Sequence, residues 1–218
     1  MLVTVGASEA IAGAILGLVE PGSEVLLLEP YFDTYAPVIA MAGAHRVSVP
    51  LVRDGRGFAL DADAVRAAIT PRTRAMIVNS PHNPTGMVLT GDECGALAEV
   101  AVEADLLVIS DEVYERLTFD GHTHRPLATY PGMAERTLTI SSAAKMFNCT
   151  GWKIGWACGP AELLAGVRAA KQYLSYVGGA PFQPAVALAL DSEDAWVAAL
   201  RAGMQSRRDR LADGLRGV

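Results

Sequence analysis

The chain has 218 residues, a formal net charge of −6, 51% hydrophobic residues and 19% charged ones. That composition supplies a core and excludes disordered, collagen-like and disulfide-scaffold classes. The acidic balance offers no basic surface for nucleic acid or anionic lipid, and the longest uncharged apolar run, Ile11–Val19, is too short to span a bilayer.

The opening residues, MLVTVGASEA, have no basic stretch and no cleavage site, so no signal peptide is expected. Cys94, Cys149 and Cys158 lack metal-ligand spacing and cannot all pair. The expectation is a reducing, cytoplasmic setting and no metal centre.

In chain order, short apolar runs alternate with segments of helical spacing. Leu2–Val5, Val25–Leu28, Ala75–Val78, Leu106–Ser110 and Leu138–Ile140 are rich in Val, Ile and Leu and bounded by Gly, Pro, Asn or Ser. They read as strands buried on both faces. Helices are predicted over Glu9–Val19, Tyr35–Ala42, Asp61–Ile69, Gly91–Ala104 and Leu163–Tyr173. Asp194–Leu215 reads as one long, charged, amphipathic helix weakened at Gly203. The alternation predicts an α/β fold with a mainly parallel sheet and helices on both faces. A buried-type strand directly after Met1, and a long helix running into Gly217–Val218, lack covering elements. A piece of a longer protein is therefore expected.

Open parallel sheets bind ligands beyond the carboxyl ends of their strands, so the residues after each strand are a direct test for a site. After the first strand, Gly6-Ala7-Ser8 opens a helix whose N-terminus can offer free N–H groups to an anion, although a plain capped turn would look the same. The G-x-G-x-x-G dinucleotide fingerprint is absent. After the second strand, Tyr31, Phe32 and Tyr35 could stack on a planar ligand or simply pack the core. After the third, Asn79-Ser80-Pro81-His82-Asn83-Pro84-Thr85-Gly86 makes a rigid turn that holds amide side chains in place. After the fourth, Asp111 is costly at the end of a buried strand unless a cation or several donors satisfy it. Tyr114 follows it. After the fifth, Lys145 lies among small and apolar residues, where a lysine loses its proton readily and can act as a nucleophile. Phosphate donors, an aromatic plate, an amide, a buried carboxylate with a phenol, and a lysine are together the parts that hold pyridoxal 5′-phosphate.

The segments NSPHNPTG, SDEVYE and SSAAKMFNCTGWKIGW, in that order, resemble the fold-type I, pyridoxal-phosphate-dependent class I/II aminotransferases. The Gly-Trp-Lys form of the last segment is most similar to the branch that includes kynurenine–glutamine and N-succinyldiaminopimelate aminotransferases. The resemblance covers essentially the whole chain and implies a three-layer α/β/α large domain. It assigns Lys145 as the Schiff-base lysine and Asp111 as the partner of the pyridine nitrogen. Tyr114 and Asn83 become partners of the ring hydroxyl, and Phe32 the stacking aromatic. Ala7, Ser8, Ser142 and Lys153 become the phosphate cup. Many relatives have arginine where this chain has Lys153, which supplies charge without a bidentate fork. Tyr35 is expected to line the substrate pocket.

The family's chains are about twice as long, with an N-terminal arm and a C-terminal small domain that carries a carboxylate-clamping arginine. Residues 1–218 are therefore expected to be the large domain, truncated at both ends and inactive alone. The function implied is transfer of an amino group from an amino acid to a 2-oxoacid by a homodimeric, cytoplasmic enzyme, with no nucleic-acid or membrane partner. A β-lyase on the same scaffold and a non-catalytic cofactor-binding fragment are the alternatives.

Overall fold

Alternate side chains of the inner strands enter two separate cores, and this puts helices on both faces of the sheet. The computed structural model describes residues 1–216 except Asp54 and Arg56. Its first half contains β1 (Leu2–Val5), α1 (Gly6–Leu18), β2 (Glu24–Glu29), α2 (Tyr35–Met41) and β3 (His45–Pro50). A small antiparallel pair, β4 (Val52–Arg53) and β5 (Phe58–Ala59), then leads to α3 (Ala62–Ala67), β6 (Thr73–Asn79) and α4 (Gly91–Glu103). The second half contains β7 (Leu107–Asp111), β8 (Thr137–Ser142), α5 (Ala143–Met146), β9 (Ile154–Cys158), α6 (Ala161–Leu174), α7 (Gln183–Ser192) and α8 (Asp194–Leu215).

The 7-stranded sheet has the order β1-β9-β8-β7-β6-β2-β3. From β8 to β3 every pairing is parallel, whereas β9 runs antiparallel to both β8 and β1. The carboxyl ends of β1, β2, β6, β7 and β8 therefore share one edge with the amino end of β9.

Val25 and Leu27 of β2, Ala75 and Ile77 of β6, and Ile140 of β8 pack with α1, α2 and α6. Leu26, Leu28, Met76, Val78 and Val108 enter the other core, against Val65 of α3 and Leu97, Val100 and Ala101 of α4. Each such fully buried Leu or Ile contributes about 1.5–3 kcal/mol. Helices α1 and α6 touch backbone to backbone: a Cβ on Gly17 would lie 2.3 Å from the Gly166 carbonyl oxygen, so no larger side chain fits.

The structure corrects the sequence reading in several places. Strand β1 is an edge strand with only Thr4 fully buried, not a strand buried on both faces. Helix α1 starts at Gly6 rather than Glu9, so the small residues form its first turn. Strands β3 and β9 and helix α7 were not anticipated. β3 lies at the opposite edge, where His45, Arg46 and Ser48 dilute the apolar signal and only Val49 is fully buried. β9 carries Gly155, which weakens strand patterning and is required by close packing on α1. Helix α8 runs unbroken through Gly203.

Candidate active site

The side chains assigned to the cofactor from the sequence meet at the shared strand edge. Ala7, Ser8, Phe32, Asn83, Asp111, Tyr114, Ser142, Lys145 and Lys153 line one cleft of about 190 Å³, together with Gly6, Ile11, Asn79, Val113, Ala144 and Thr150.

One end of the cleft is built for an anion. The residue before α1, Val5, offers no side-chain cap, so first-turn N–H groups keep no side-chain acceptor there. Its own N–H instead donates to Glu9 Oε2 at 2.6 Å. Gly6 has φ +73°, and a Cβ on it would lie 3.3 Å from Lys153 Nζ. A Cβ on Gly155 would lie 2.5 Å from the Gly6 carbonyl carbon. These two glycines let the amino end of β9 close onto α1, which brings the Lys153 ammonium to the helix N-terminus. Lys153 itself has left-handed φ, 54°, just ahead of β9.

The centre is organised around Asp111, the last residue of β7 and 3% exposed. The Tyr35 hydroxyl donates to its Oδ2 at 2.6 Å, and the Val113 N–H donates to Oδ1 at 3.3 Å. Burial pushes the Asp111 carboxyl up to about 6, against the pull of the Tyr35 hydrogen bond and of Lys145. Tyr35 is not a cleft-lining residue as expected. It is 2% exposed and lies behind the carboxylate, with Phe32 packed edge-on against it at 5.7 Å between ring centroids.

Asn79 couples two strand ends. Its amide nitrogen donates to the Asp111 carbonyl at 2.8 Å, and its amide oxygen accepts the Asn83 N–H at 2.7 Å. This fixes Asn83 beside the cleft. His82 in the same turn pairs with Thr85 Oγ1 at 2.8 Å, and burial lowers its pKa to about 4, so it is neutral near pH 7. On the far side, Lys145 at the end of α5 sits with Nζ 5.5 Å from the centroid of the Tyr114 ring.

Sequence reasoning missed a second polar group set behind the same strands. Ser110 Oγ donates to Glu112 Oε1 at 2.8 Å, His124 Nε2 lies 2.7 Å from Glu112 Oε2, and Ser141 Oγ donates to Glu115 Oε1 at 2.9 Å. Among the described residues the His124 Nδ1 atom has no partner, whereas a metal-bound histidine nearly always passes its second N–H to an acceptor. The set reads as a hydrogen-bonded clamp between β7 and β8. Only the run of Ser110, Asp111 and Glu112 at the end of β7 could have signalled it, because His124 comes from a later loop.

The cleft residues fit pyridoxal phosphate: an uncapped helix terminus with a cation, a buried carboxylate with lone pairs to spare, an aromatic wall and an amine. The aminotransferase class I and II family model matches residues 1–218. A probable N-succinyldiaminopimelate aminotransferase, DapC, from Mycobacterium tuberculosis is 78% identical over 99% of this chain and 54% of its own length. The solved N-succinyldiaminopimelate aminotransferase structure from that organism superposes with a TM-score of 0.97, over 98% of this chain and 56% of the other. Kynurenine–oxoglutarate transaminase 3 of Mus musculus is 40% identical over 100% of this chain and 51% of its own length. Aspartate aminotransferase from Thermus thermophilus, solved with maleate, shares 38% identity and a TM-score of 0.91, over 99% of this chain and 56% of its own. The chain thus spans about half the length of the relatives it matches.

Proposed function

Because the chain belongs to the class I and II aminotransferase family, a family of pyridoxal-phosphate enzymes, we propose that it forms the cofactor-binding large domain of an aminotransferase that moves an amino group from an amino acid to a 2-oxoacid. The observation that carries this reading is the convergence of Lys145, Asp111 and the Lys153-flanked helix terminus on one cleft. When bound, pyridoxal phosphate supplies an electron sink for the carbanion formed at the substrate α-carbon.

In this reading the chain's own residues divide the work. Ala7, Ser8, Ser142 and Lys153 hold the phosphate, and Phe32 fixes the ring plane. Asp111 holds a proton on the ring nitrogen through a charge-assisted hydrogen bond, roughly twice as strong as a neutral one. Tyr114 and Asn83 bind the ring oxygen. Lys145 Nζ would attach the cofactor and, once freed by the incoming amino group, would take the proton from the substrate α-carbon and deliver it to the cofactor carbon that had carried Lys145. Its place beside the Tyr114 ring keeps the amine within the cleft rather than in open water.

Similarity to the Mycobacterium tuberculosis protein supports an N-succinyldiaminopimelate-type substrate and a role in amino-acid biosynthesis, with a kynurenine-type substrate second. The full enzyme is proposed to be a cytoplasmic homodimer. Among the described residues no helix is long and apolar enough to cross a membrane, and Cys94, Cys149 and Cys158 are unpaired. Residues 1–218 alone are expected to transaminate poorly, because the carboxylate clamp of such enzymes lies in their small domain.

The test is to add pyridoxal phosphate, reduce with borohydride and map the labelled peptide. Label on Lys145 is expected. Label spread over other lysines, with none on Lys145, would overturn the assignment.

A further inference from the structure

Two fully buried groups far apart in sequence meet behind the cleft: the Tyr35 hydroxyl donates to the Asp111 carboxylate at 2.6 Å. Tyr35 stands at the first turn of α2, three residues after Phe32, whose ring it meets edge-on. One turn of chain therefore delivers both the aromatic wall of the cleft and a donor to the acid at its floor.

The environment around Asp111 makes that donor consequential. Burial disfavours a charge there, as does Glu112 just beyond the end of β7. Lys145 from α5 favours the charge from across the cleft, and the Val113 N–H gives only a long bond at 3.3 Å. From β6, Asn79 spends its donor on the Asp111 carbonyl and so does not compete for the carboxylate. The Tyr35 proton does not leave: burial first, then the Asp111 charge and the nearby Tyr114, hold the phenol pKa well above its ordinary range. Tyr35 is thus a permanent donor, and the sole short hydrogen bond to the Asp111 carboxylate among the described residues.

We propose that Tyr35 is a positioning residue that orients the Asp111 carboxylate and keeps it anionic, so that it can hold a protonated ring nitrogen. The proposal rests on the cofactor reading above for its consequence, but the tyrosine–aspartate coupling stands without it. Removing the hydroxyl leaves a buried acid short of a donor, and its affinity for a proton rises. A carboxylate made more basic draws the shared proton toward itself, and the ring nitrogen becomes less fully protonated.

The experiment has two stages. In the cofactor-free chain, the Asp111 carboxyl is titrated by NMR with ¹³C-labelled aspartate, using Asp111→Asn to assign the signal. Tyr35→Phe is expected to raise the midpoint by about one to two units, the worth of one hydrogen bond to a charged group. Replacing Tyr35 with 3-fluorotyrosine, a stronger donor of nearly the same shape, is expected to lower it. Opposite shifts would not arise from a merely structural role, and the fluorinated protein keeps the test open if the Phe variant does not fold. A midpoint unmoved by the substitution in whichever protein folds overturns the proposal. In the second stage, ¹⁵N-labelled pyridoxal phosphate is added, and the ring-nitrogen signal is expected to move toward the unprotonated position in Tyr35→Phe. If wild type gives no bound signal, the cofactor reading fails while the titration still decides the role of Tyr35. If the signal is bound but identical in wild type and variant, Tyr35 does not act on the nitrogen and the proposal is overturned.

Discussion

The strand-end cleft and helix α8 are held together by opposite means. In the cleft, polar groups are buried and partnered one by one: Tyr35 with Asp111, Asn79 with both Asp111 and Asn83, Glu9 with the Val5 N–H. Along α8 only Val197 is buried, and besides the Trp196 ring against Phe147 the helix meets the body through exposed polar contacts, Arg116 with Asp194, Arg208 with Asp120 and Gln205 with the Asp120 N–H. Desolvation explains the difference. A buried polar atom that loses its partner keeps the full cost of leaving water, while an exposed one regains water at once. Chemistry that needs a shifted pKa or a fixed carboxylate can be built only in the first kind of region.

The contrast can be broken deliberately. The largest effect is expected from Asp111→Asn in the longer enzyme, where transamination should fall roughly a hundred- to a thousand-fold with cofactor still bound, because a neutral amide cannot hold the ring-nitrogen proton. Steady-state rates alongside the cofactor absorbance check this, and near-normal turnover would mean that Asp111 only ends a strand.

Next is the scaffold beneath the cleft. Ile109 of β7 is fully buried beside the site-bearing end of the strand. Ile109→Ala should cost about 2–5 kcal/mol in denaturant unfolding, with cofactor affinity falling as the strand end loosens.

A smaller effect of opposite sign sharpens the comparison. The Asp111 carboxyl is raised from 3.8 to about 6, so between those values the folded chain holds a proton that the unfolded chain has lost. Folded stability is therefore lost as pH rises through that window. Asp111→Asn carries no such charge. Relative to wild type it should gain stability from pH 4 to pH 7, by up to about 3 kcal/mol in the cofactor-free chain. His82, whose pKa is lowered to about 4, gives both proteins the reverse trend and cancels in their difference. Thermal unfolding across that pH range reads the result, and a constant difference would show that the Asp111 charge carries no such burden.

The smallest effect belongs to α8. Arg208→Ala removes the exposed pair with Asp120, and the melting temperature at physiological salt should stay within replicate scatter. A clear drop would mean that this exposed pair carries substantial docking energy.

Much of this was legible in the sequence because strand ends are marked locally. An apolar run followed by Gly6-Ala7-Ser8, by the Asn79–Gly86 turn or by Asp111 states both where a strand stops and which side chain is left at its tip. Edge position was not legible: Leu2–Val5 was read as a strand but as one buried on both faces, and β3, with one fully buried residue among polar ones, was not read at all.

The residues at the strand tips, and the family they resemble, were thus determined by the chain order of types alone. Tertiary structure decided how those residues act on one another. Reversal of β9 carries Lys153 to the head of α1, and no periodicity encodes the direction of a single strand. Glycine-to-glycine contact between Gly155 and Gly6 lets the two meet. The bond from Tyr35 to Asp111 spans 76 positions. The sequence reading placed Tyr35 in the pocket because an aromatic near a strand tip looks the same whether it faces a ligand or backs an acid. Only packing in three dimensions fixes which side of Asp111 the phenol occupies, since pairings that distant depend on the whole sheet closing in register.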